Sequence, residues 1–573
     1  MVFGLAGATR SFAVGTNTKK VVRPTLRGIY SLLSRRAEWE LRAKHEMEVR
    51  MKRAGLSPVR VRIVISPKSF IGLLAVLVMA GLTVSPVLAA PCESLASLKL
   101  PNATITSANT VAAGAFTLPT AGGSATTASR FSTLPAFCRV AATLTPSSDS
   151  DIKIEVWLPV SGWNGKFQAV GNGGFAGTIS YSAMAAAVKA GYASASTDTG
   201  HQGNTAAFAV GHPEKVIDLA YRAVHEMTVQ AKSIVNAYYG SAPSLSFWNG
   251  CSQGGRQAIT EAAKYPSDFD GIVAGSSGIY WMRLLVARME INVFAHRSED
   301  SYIPPAKYAV VHAAVLKACD ALDGVKDGVI ENPTACHFDP KVLVCKGADG
   351  PNCLTQAQAE TAKALYSPIK NPKTGAEVIS ALLQPGSELG WATLAGPDPI
   401  RFSTEAYQYL VFKDPTWDWH HFNAATDIDL ALESDKGLLE YTDPNLKPFF
   451  DRGGKLLMYH GWSDPQVAPM NSVNYFNDVV GKLGAGVAGK SIELYMVPGM
   501  NHCGGGPGTD TFDKMAAIEQ WVADGTAPKQ ILASHLTSGT VDRTRPLCPY
   551  PQVAAYKGSG GTDDAPDFVC RAP

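Results

Sequence analysis

The stretch that most constrains this chain is Trp248-Asn249-Gly250-Cys251-Ser252-Gln253-Gly254-Gly255-Arg256. Gly250, Ser252 and Gly254 stand in the spacing G-x-S-x-G. Leu245–Trp248 before it reads as a short buried strand, and the alanine-rich Gln257–Lys264 after it reads as a helix. Strand, tight turn and helix form the setting in which a serine is held in strained backbone geometry at the top of a sheet. Small neighbours are needed there, and glycine has no Cβ to clash. A chance match in a glycine-rich loop has no reason to be framed this way. The expectation is a nucleophilic Ser252, with the N–H of Gln253 as one oxyanion donor.

In an α/β-hydrolase fold the partners of such a serine follow in the order acid, then histidine. Lys455–Tyr459 reads as a late strand and leads into His460-Gly461-Trp462-Ser463-Asp464. Ile492–Val497 reads as the last strand of the sheet and leads into Pro498-Gly499-Met500-Asn501-His502-Cys503. Asp464 and His502 are therefore the expected acid and base. Asp198 and His201 precede the serine, so the same order gives them a structural role. Phe167–Val170 reads as a strand running into Gly171-Asn172-Gly173-Gly174-Phe175. Bare amides at Gly173 and Gly174 are the expected second oxyanion donor, against the alternative of a plain glycine turn. Cys251 precedes the serine and Cys503 follows the histidine. A disulfide between them would bring their Cα atoms to roughly 4.4–6.8 Å and staple the two catalytic loops together.

Length and composition allow a large core: 573 residues, 46% hydrophobic and 17% charged. Ile152–Leu158 alternates as a strand should, Val216–Ala237 reads as a long amphipathic helix, and Phe269–Ala274 as the next core strand. Alternating strands and helices imply a mostly parallel sheet covered on both faces. From Tyr280 to about Asp443 this alternation is lost. The expected organisation is a leader and signal peptide over 1–90, a catalytic α/β-hydrolase domain split into 91–278 and 446–573, and an inserted lid domain over 279–445. The insert carries Asp320, Asp323 and Asp327 among glycines. Three carboxylates so spaced suit a hard cation such as Ca²⁺, with the carbonyls of Val325 and Val329 completing its shell. A solvated acidic turn is the alternative.

Charge is uneven. Residues 1–90 hold 15 Lys and Arg against 4 Asp and Glu, leaving 36 against 45 in the remainder. A mildly acidic body argues against nucleic acid as partner. Phe70–Val84 is an apolar run of signal-peptide length behind Lys52, Arg53, Arg60, Arg62 and Lys68, and Ser85–Ala90 is a small-residue cleavage region. A translation start at Met51 would give an ordinary basic segment. The expectation is a secreted or periplasmic protein with no membrane association after cleavage. All ten cysteines lie beyond the cleavage region. An even number in an exported chain points to disulfides, in about 945 combinations on sequence alone.

Gly250-Cys251-Ser252-Gln253-Gly254-Gly255-Arg256, Tyr265-Pro266-Ser267-Asp268-Phe269-Asp270-Gly271-Ile272, Gly461-Trp462-Ser463-Asp464 and Pro498–Cys503 together closely resemble the tannase/feruloyl esterase family. That family also includes the bacterial hydrolase of mono(2-hydroxyethyl) terephthalate. The resemblance covers about residues 91–573. It implies an α/β-hydrolase fold with a large lid and a triad of Ser252, Asp464 and His502 beside a Cys251–Cys503 bridge. It also implies a structural Ca²⁺ on Asp320, Asp323, Val325, Asp327 and Val329, set apart from the chemistry. Family-like pairing gives Cys92–Cys138, Cys319–Cys336, Cys345–Cys353 and Cys548–Cys570.

The implied activity is hydrolysis of carboxylic esters of aromatic acids, feruloyl, other hydroxycinnamoyl or galloyl, through an acyl-enzyme and with no organic cofactor. The substrate is a small aromatic ester, free or attached to plant polysaccharide or tannin. Alternatives are a terephthalate-type ester hydrolase, an acyltransferase using the same serine, and an exported, calcium-stabilised binding protein on a hydrolase scaffold. Tyr407, Tyr409, Phe412, Trp417 and Trp419 supply lid aromatics; at such spacings they read as lid core before they read as pocket wall.

Overall fold

A computed structural model describes residues 89–119, 131–175 and 177–573. Met51, the apolar run Phe70–Val84 and the cleavage region up to Leu88 lie outside the described residues. Ala90, at the end of that region, donates its N–H to the carbonyl of Tyr238 at 2.8 Å.

Among the described residues the main sheet has nine strands. Seven precede the insert: β1 (Ala103–Val111), β2 (Phe137–Leu144), β3 (Ile152–Pro159), β4 (Lys166–Val170), β5 (Ala193–Thr197), β6 (Leu245–Cys251) and β7 (Gly271–Gly275). The insert contributes only a small separate hairpin, β8 (Ile369–Lys370) and β9 (Glu377–Ile379). The main sheet resumes with β10 (Lys455–Gly461) and β11 (Ile492–Val497), giving the order β1-β2-β3-β5-β4-β6-β7-β10-β11. From β1 to β5 neighbours are antiparallel; from β5 to β11 they are parallel.

The parallel half is buried on both faces, which is why β5 and β7 have every residue buried and read as continuous small or apolar runs rather than alternating ones. Helix Ala223–Tyr239 covers one face. Its Met227, Ala231 and Ile234 belong to the same core as Val140, Ile154 and Phe167. Helix Lys514–Asp524 covers the other, joining Ile518 and Trp521 to Phe247, Val273 and Leu457.

Element boundaries differ from the sequence expectation where tertiary contacts decide them. The expected helix Val216–Ala237 is three pieces: α-helical Pro213–Ile217, a π-turn over Asp218–Arg222, and Ala223–Tyr239, which ends on Gly240 at φ 71°. The π-turn frees carbonyls that an α-helix would use internally. Arg256 takes two of them, those of Leu219 and Ala220, at 3.0 Å each. The helix expected from Gln257 starts at Gln253, directly after the serine. β7 begins at Gly271 rather than Phe269, and the Asp270 carboxylate before it accepts the N–H of Ser246.

The insert has its own core. Helix Trp281–Ala295 buries Met282, Leu284, Leu285, Val286, Ala287 and Met289 around most of its circumference, the pattern of a central helix. Tyr308, Val311, Trp391, Tyr407 and Ile428 pack into the same cluster.

All five expected disulfides are present: Cys92–Cys138, Cys251–Cys503, Cys319–Cys336, Cys345–Cys353 and Cys548–Cys570. No cysteine is left free among the described residues. No helix of the described residues is long and apolar enough to cross a membrane.

Candidate active site

β6 ends at Cys251 and the next helix starts at Gln253, so Ser252 alone makes the turn. Its backbone sits at φ 62° and ψ −120°, a region that L-residues rarely adopt. The surroundings leave no choice. A Cβ on Gly250 would lie 2.5 Å from the carbonyl oxygen of Gly254, and one on Gly255 would lie 2.4 Å from that of Gly275. The Ser252 N–H donates to Gly275 at 2.9 Å, and its carbonyl accepts from Gly278 at 3.0 Å. The strained residue is thus pinned on both sides by the end of β7 and the loop after it.

Three chain-distant side chains meet at this turn. His502 Nε2 lies 2.8 Å from Ser252 Oγ, and His502 Nδ1 lies 2.7 Å from Asp464 Oδ2. Nδ1 faces a carboxylate, so it carries the proton and leaves Nε2 to accept from the serine hydroxyl. Asp464 is fully buried at the end of β10. Its Oδ1 accepts the N–H groups of Gln466 at 2.8 Å and Val467 at 2.9 Å. Burial opposes its ionisation, but the charges and hydrogen bonds of His502 and His460 outweigh burial and hold the carboxyl below the usual carboxylate range.

His460 is a residue that sequence reasoning passed over. It is fully buried, with Nε2 3.2 Å from Asp464 Oδ2 and Nδ1 2.8 Å from Ser472 Oγ. The only signal was its place four residues before the acid in the quoted motif.

The loop that carries His502 is tied to the elbow covalently. Cys251 and Cys503 are bridged with a Cα separation of 6.0 Å, inside the expected range. Cys503 itself stands at φ 65°, so the bridge also fixes a left-handed turn directly after the base.

Gly173 and Gly174 line the same cavity as Ser252 and Gln253. As the first helical residue, Gln253 has no intrahelical acceptor for its N–H. The glycine loop is locked to the elbow helix: the Asn172 carbonyl accepts from the Gly254 N–H at 2.9 Å, its backbone N–H donates to Gln257 Oε1, and its Oδ1 accepts from Gln257 Nε2. Asp198 and His201 take the structural role their order implied. Asp198 Oδ1 accepts from Lys153 and Gly200 at 2.9 Å each, and His201 Nε2 donates to the carbonyl of Phe175. His201 thus supports the end of the glycine loop, while Asp198 ties β3 to the turn after β5.

The cavity over Ser252 has a volume of about 410 Å³. Its far wall comes from the insert: Trp281, Leu284, Leu285 and Phe402, with Val467 from the acid loop. Arg288 also lines it, but Nε and Nη2 are held by the carbonyl of Gln466 at 2.9 and 2.6 Å. Burial lowers the Arg288 pKa only to about 10, so it stays a cation. The aromatics Tyr407, Phe412 and Trp417 stack on one another within the insert, centroids 5.1–5.9 Å apart. Trp419 stacks on His420 instead, and Tyr409 faces a different cavity. These five belong to the insert's body rather than to the wall facing Ser252.

The acidic loop folds as a 3-10 turn, Asp320–Asp323, with Gly324 and Gly328 at φ 93° and 79°. Asp320 accepts from the N–H groups of Asp327 and Gly328, and Asp327 pairs with Arg545 at 2.7 Å. Asp323, Asp327, Val329 and Glu331 wall a cavity of about 20 Å³, the size of a single ion or water. Burial and the charges of Asp327 and Asp320 push Asp323 up to about 6. Asp323, Asp327 and Glu331 are hard oxygen donors of the kind a divalent cation takes, and Arg543 and Arg545 in the same wall neutralise part of their charge. The loop is nearer the chemistry than the sequence implied. A Cβ on Gly499, three residues before His502, would lie 3.1 Å from Val329 Cγ1.

Comparison with known proteins places the geometry in context. A family model described as tannase and feruloyl esterase matches residues 138–571. An uncharacterized esterase of Xanthomonas campestris pv. campestris is 36% identical over 531 residues, covering 84% of this chain and 91% of that protein. A probable feruloyl esterase B-2 of Aspergillus terreus is 32% identical, covering 84% of this chain and 95% of that protein. The crystal structure of feruloyl esterase B from Aspergillus oryzae superposes with a TM-score of 0.77 at 31% identity, covering 84% of this chain and 99% of that one.

Proposed function

The chain belongs to the tannase and feruloyl esterase family and is a carboxylic ester hydrolase of aromatic-acid esters, and from that premise we propose that Ser252 is its nucleophile and that it works through an acyl-enzyme. The observation that carries the reading is the 2.8 Å contact between Ser252 Oγ and His502 Nε2, on a serine held at φ 62°. His502 takes the hydroxyl proton as Oγ attacks the ester carbonyl. Asp464 keeps the imidazole in the required tautomer and stabilises its charged form. The N–H of Gln253 and those of the Gly173/Gly174 loop face the developing oxyanion; one such donor is worth roughly 2.7–4 kcal/mol. His502 then gives its proton to the leaving alcohol. Water, deprotonated by the same imidazole, attacks the acyl-serine and releases the aromatic acid.

The acyl group is a hydroxycinnamoyl or galloyl unit. Trp281, Phe402 and the two leucines form flat apolar walls that favour the cinnamoyl frame. Arg288 is the feature that favours a second reading, a carboxylate-bearing acyl group of the terephthalate type, although Gln466 already engages two of its donors. Turnover of methyl ferulate, methyl gallate, chlorogenic acid and mono(2-hydroxyethyl) terephthalate decides between them. Covalent labelling by an organophosphonate, mapped to a single peptide, tests the nucleophile. Labelling at any residue other than Ser252 removes the proposal.

Ca²⁺ on Asp320, Asp323, Asp327 and the carbonyls of Val325 and Val329 is a structural ion in this reading, fixing the loop that packs against Gly499. Export to an oxidising compartment is supported by five disulfides and by the basic and apolar leader.

A further inference from the structure

We propose that His225, Glu261 and Asp268 form a site for one first-row divalent cation of the Zn²⁺ class, behind the elbow helix and apart from both the catalytic cavity and the acidic loop. The ligating atoms, His225 Nδ1 and one carboxylate oxygen each from Glu261 and Asp268, all lie within 4.8 Å of one another. One imidazole and two carboxylates make a mixed nitrogen–oxygen set, which suits Zn²⁺ and its neighbours better than Ca²⁺.

The second observation is Glu261. It is 1% exposed, and among the described residues no N–H or hydroxyl donor reaches either of its carboxylate oxygens; the neighbouring group is the Asp268 carboxyl. A bare buried carboxylate is costly and calls for a proton or a cation. A proton shared with Asp268 would occupy one oxygen of Glu261 and leave the other bare. A cation bound by the carboxylate can engage both.

The remaining ligands are already oriented. His225 Nδ1 lies 2.7 Å from Asp268 Oδ2, and its ring stacks on Tyr265 at 3.7 Å between centroids and 7° between planes. Lys232 holds the Asp268 backbone through its carbonyl oxygen. The His225 side chain is 28% exposed, which opens a route from solvent. The site joins helix Ala223–Tyr239, helix Gln253–Lys264 and the loop before β7. Glu261 lies eight residues beyond Gln253, about 12 Å along the helix, so the cation would clamp that helix rather than touch substrate.

The test uses the full mature chain, stripped with chelator and returned to buffer with excess Ca²⁺. Zn²⁺ alone is titrated by calorimetry, and melting is followed with and without Zn²⁺. The expected result is one tight Zn²⁺ equivalent and an upward shift in melting temperature. Affinity should fall at least about tenfold and the shift should vanish in Glu261→Gln and in His225→Gln. His225 is at the surface edge of the cluster, so His225→Gln decides the matter if Glu261→Gln does not fold. No tight equivalent in the wild type, or the same equivalent in both variants, overturns the site. So does a Glu261→Gln protein that is as stable as wild type while neither protein responds to Zn²⁺, since a shared proton then accounts for the pair.

Discussion

Asp464 divides one carboxylate oxygen between two imidazoles: Oδ2 lies 2.7 Å from His502 Nδ1 and 3.2 Å from His460 Nε2. His460 is therefore a positioning residue for the acid. Ser472 holds its Nδ1 from the other side, and the carbonyl of Val467 shares Nε2 with Asp464. Replacing it with Gln keeps a donor but loses the rigid ring. The expected outcome is a kcat loss of roughly 10- to 100-fold with KM little changed, since a 1 Å displacement of a catalytic group costs that much. Steady-state kinetics beside a melting curve would check it; unchanged kcat in a folded variant refutes the role.

The strained elbow gives two opposite effects at one position. Ser252→Ala should lower kcat by several orders of magnitude, because only the oxyanion donors and binding remain. Ser252→Gly should be equally inactive yet more stable, because glycine adopts φ 62° without the strain, which is worth on the order of 1–3 kcal/mol. Activity of either variant within tenfold of wild type would sink the nucleophile assignment. Equal melting temperatures of the Gly variant and wild type would sink the strain argument.

The Cys251–Cys503 bridge should matter more for turnover than for stability. It closes a sequence separation of 252, worth at most about 5 kcal/mol in the chain-entropy model, and four other bridges already restrain the unfolded chain. The loop it holds carries His502 and three glycines. Replacing both cysteines with alanine should lower kcat strongly for a smaller fall in melting temperature. A folded double variant with wild-type kcat would show that the loop needs no staple.

Calcium removal should be felt at the base. Exhaustive chelation should lower the melting temperature, since ligand lost from the native state destabilises by mass action. Because Val329 packs toward Gly499, it should also lower kcat, and added Ca²⁺ should restore both. If neither quantity moves and elemental analysis finds no calcium, the loop is an acidic turn.

Asp198 predicts a pH effect on stability rather than on catalysis. Burial raises its pKa from 3.8 to about 7, so the folded chain holds that proton more tightly than the unfolded one. Its cost is absent below the unfolded pKa and grows as pH rises from about 4 to about 7. Asp198→Asn keeps an acceptor for the N–H groups of Lys153 and Gly200 and removes the charge. The variant should gain stability over wild type above pH 7, on the order of a few kcal/mol at about 1.4 kcal/mol per pKa unit, and the gain should disappear near pH 4. Denaturant melts at the two pH values measure this; a gain independent of pH contradicts it.

Much of the site was legible because its chemistry is local to strand ends. Ser252, Asp464 and His502 each follow a short apolar run, so the fold's chain order was enough to choose them over Asp198 and His201. The Cys251–Cys503 pair was legible for the same reason: each cysteine adjoins a residue already assigned. What stayed hidden depends on contacts between distant segments. The carbonyls freed by the π-turn at Asp218–Arg222 are taken by Arg256, on another helix, which no local pattern shows. His460 looked like a strand-end residue because nothing local shows that its ring turns toward Asp464. Phe402 and Trp281 became cavity walls, while the more conspicuous Tyr407–Trp419 aromatics satisfied one another inside the insert.

The bridge between Cys251 and Cys503 also encloses the whole insert, because residues 279–445 lie between the two cysteines in sequence. Elbow, insert and histidine loop form one closed covalent ring. A protease that cuts once within the insert opens that ring without releasing a fragment. Ser252 and His502 then stay on the same molecule, joined through sulfur, until a reductant arrives. The insert thereby becomes a place where a single backbone cut is survivable. A nicked chain would run as a single species on a non-reducing gel and as two on a reducing one.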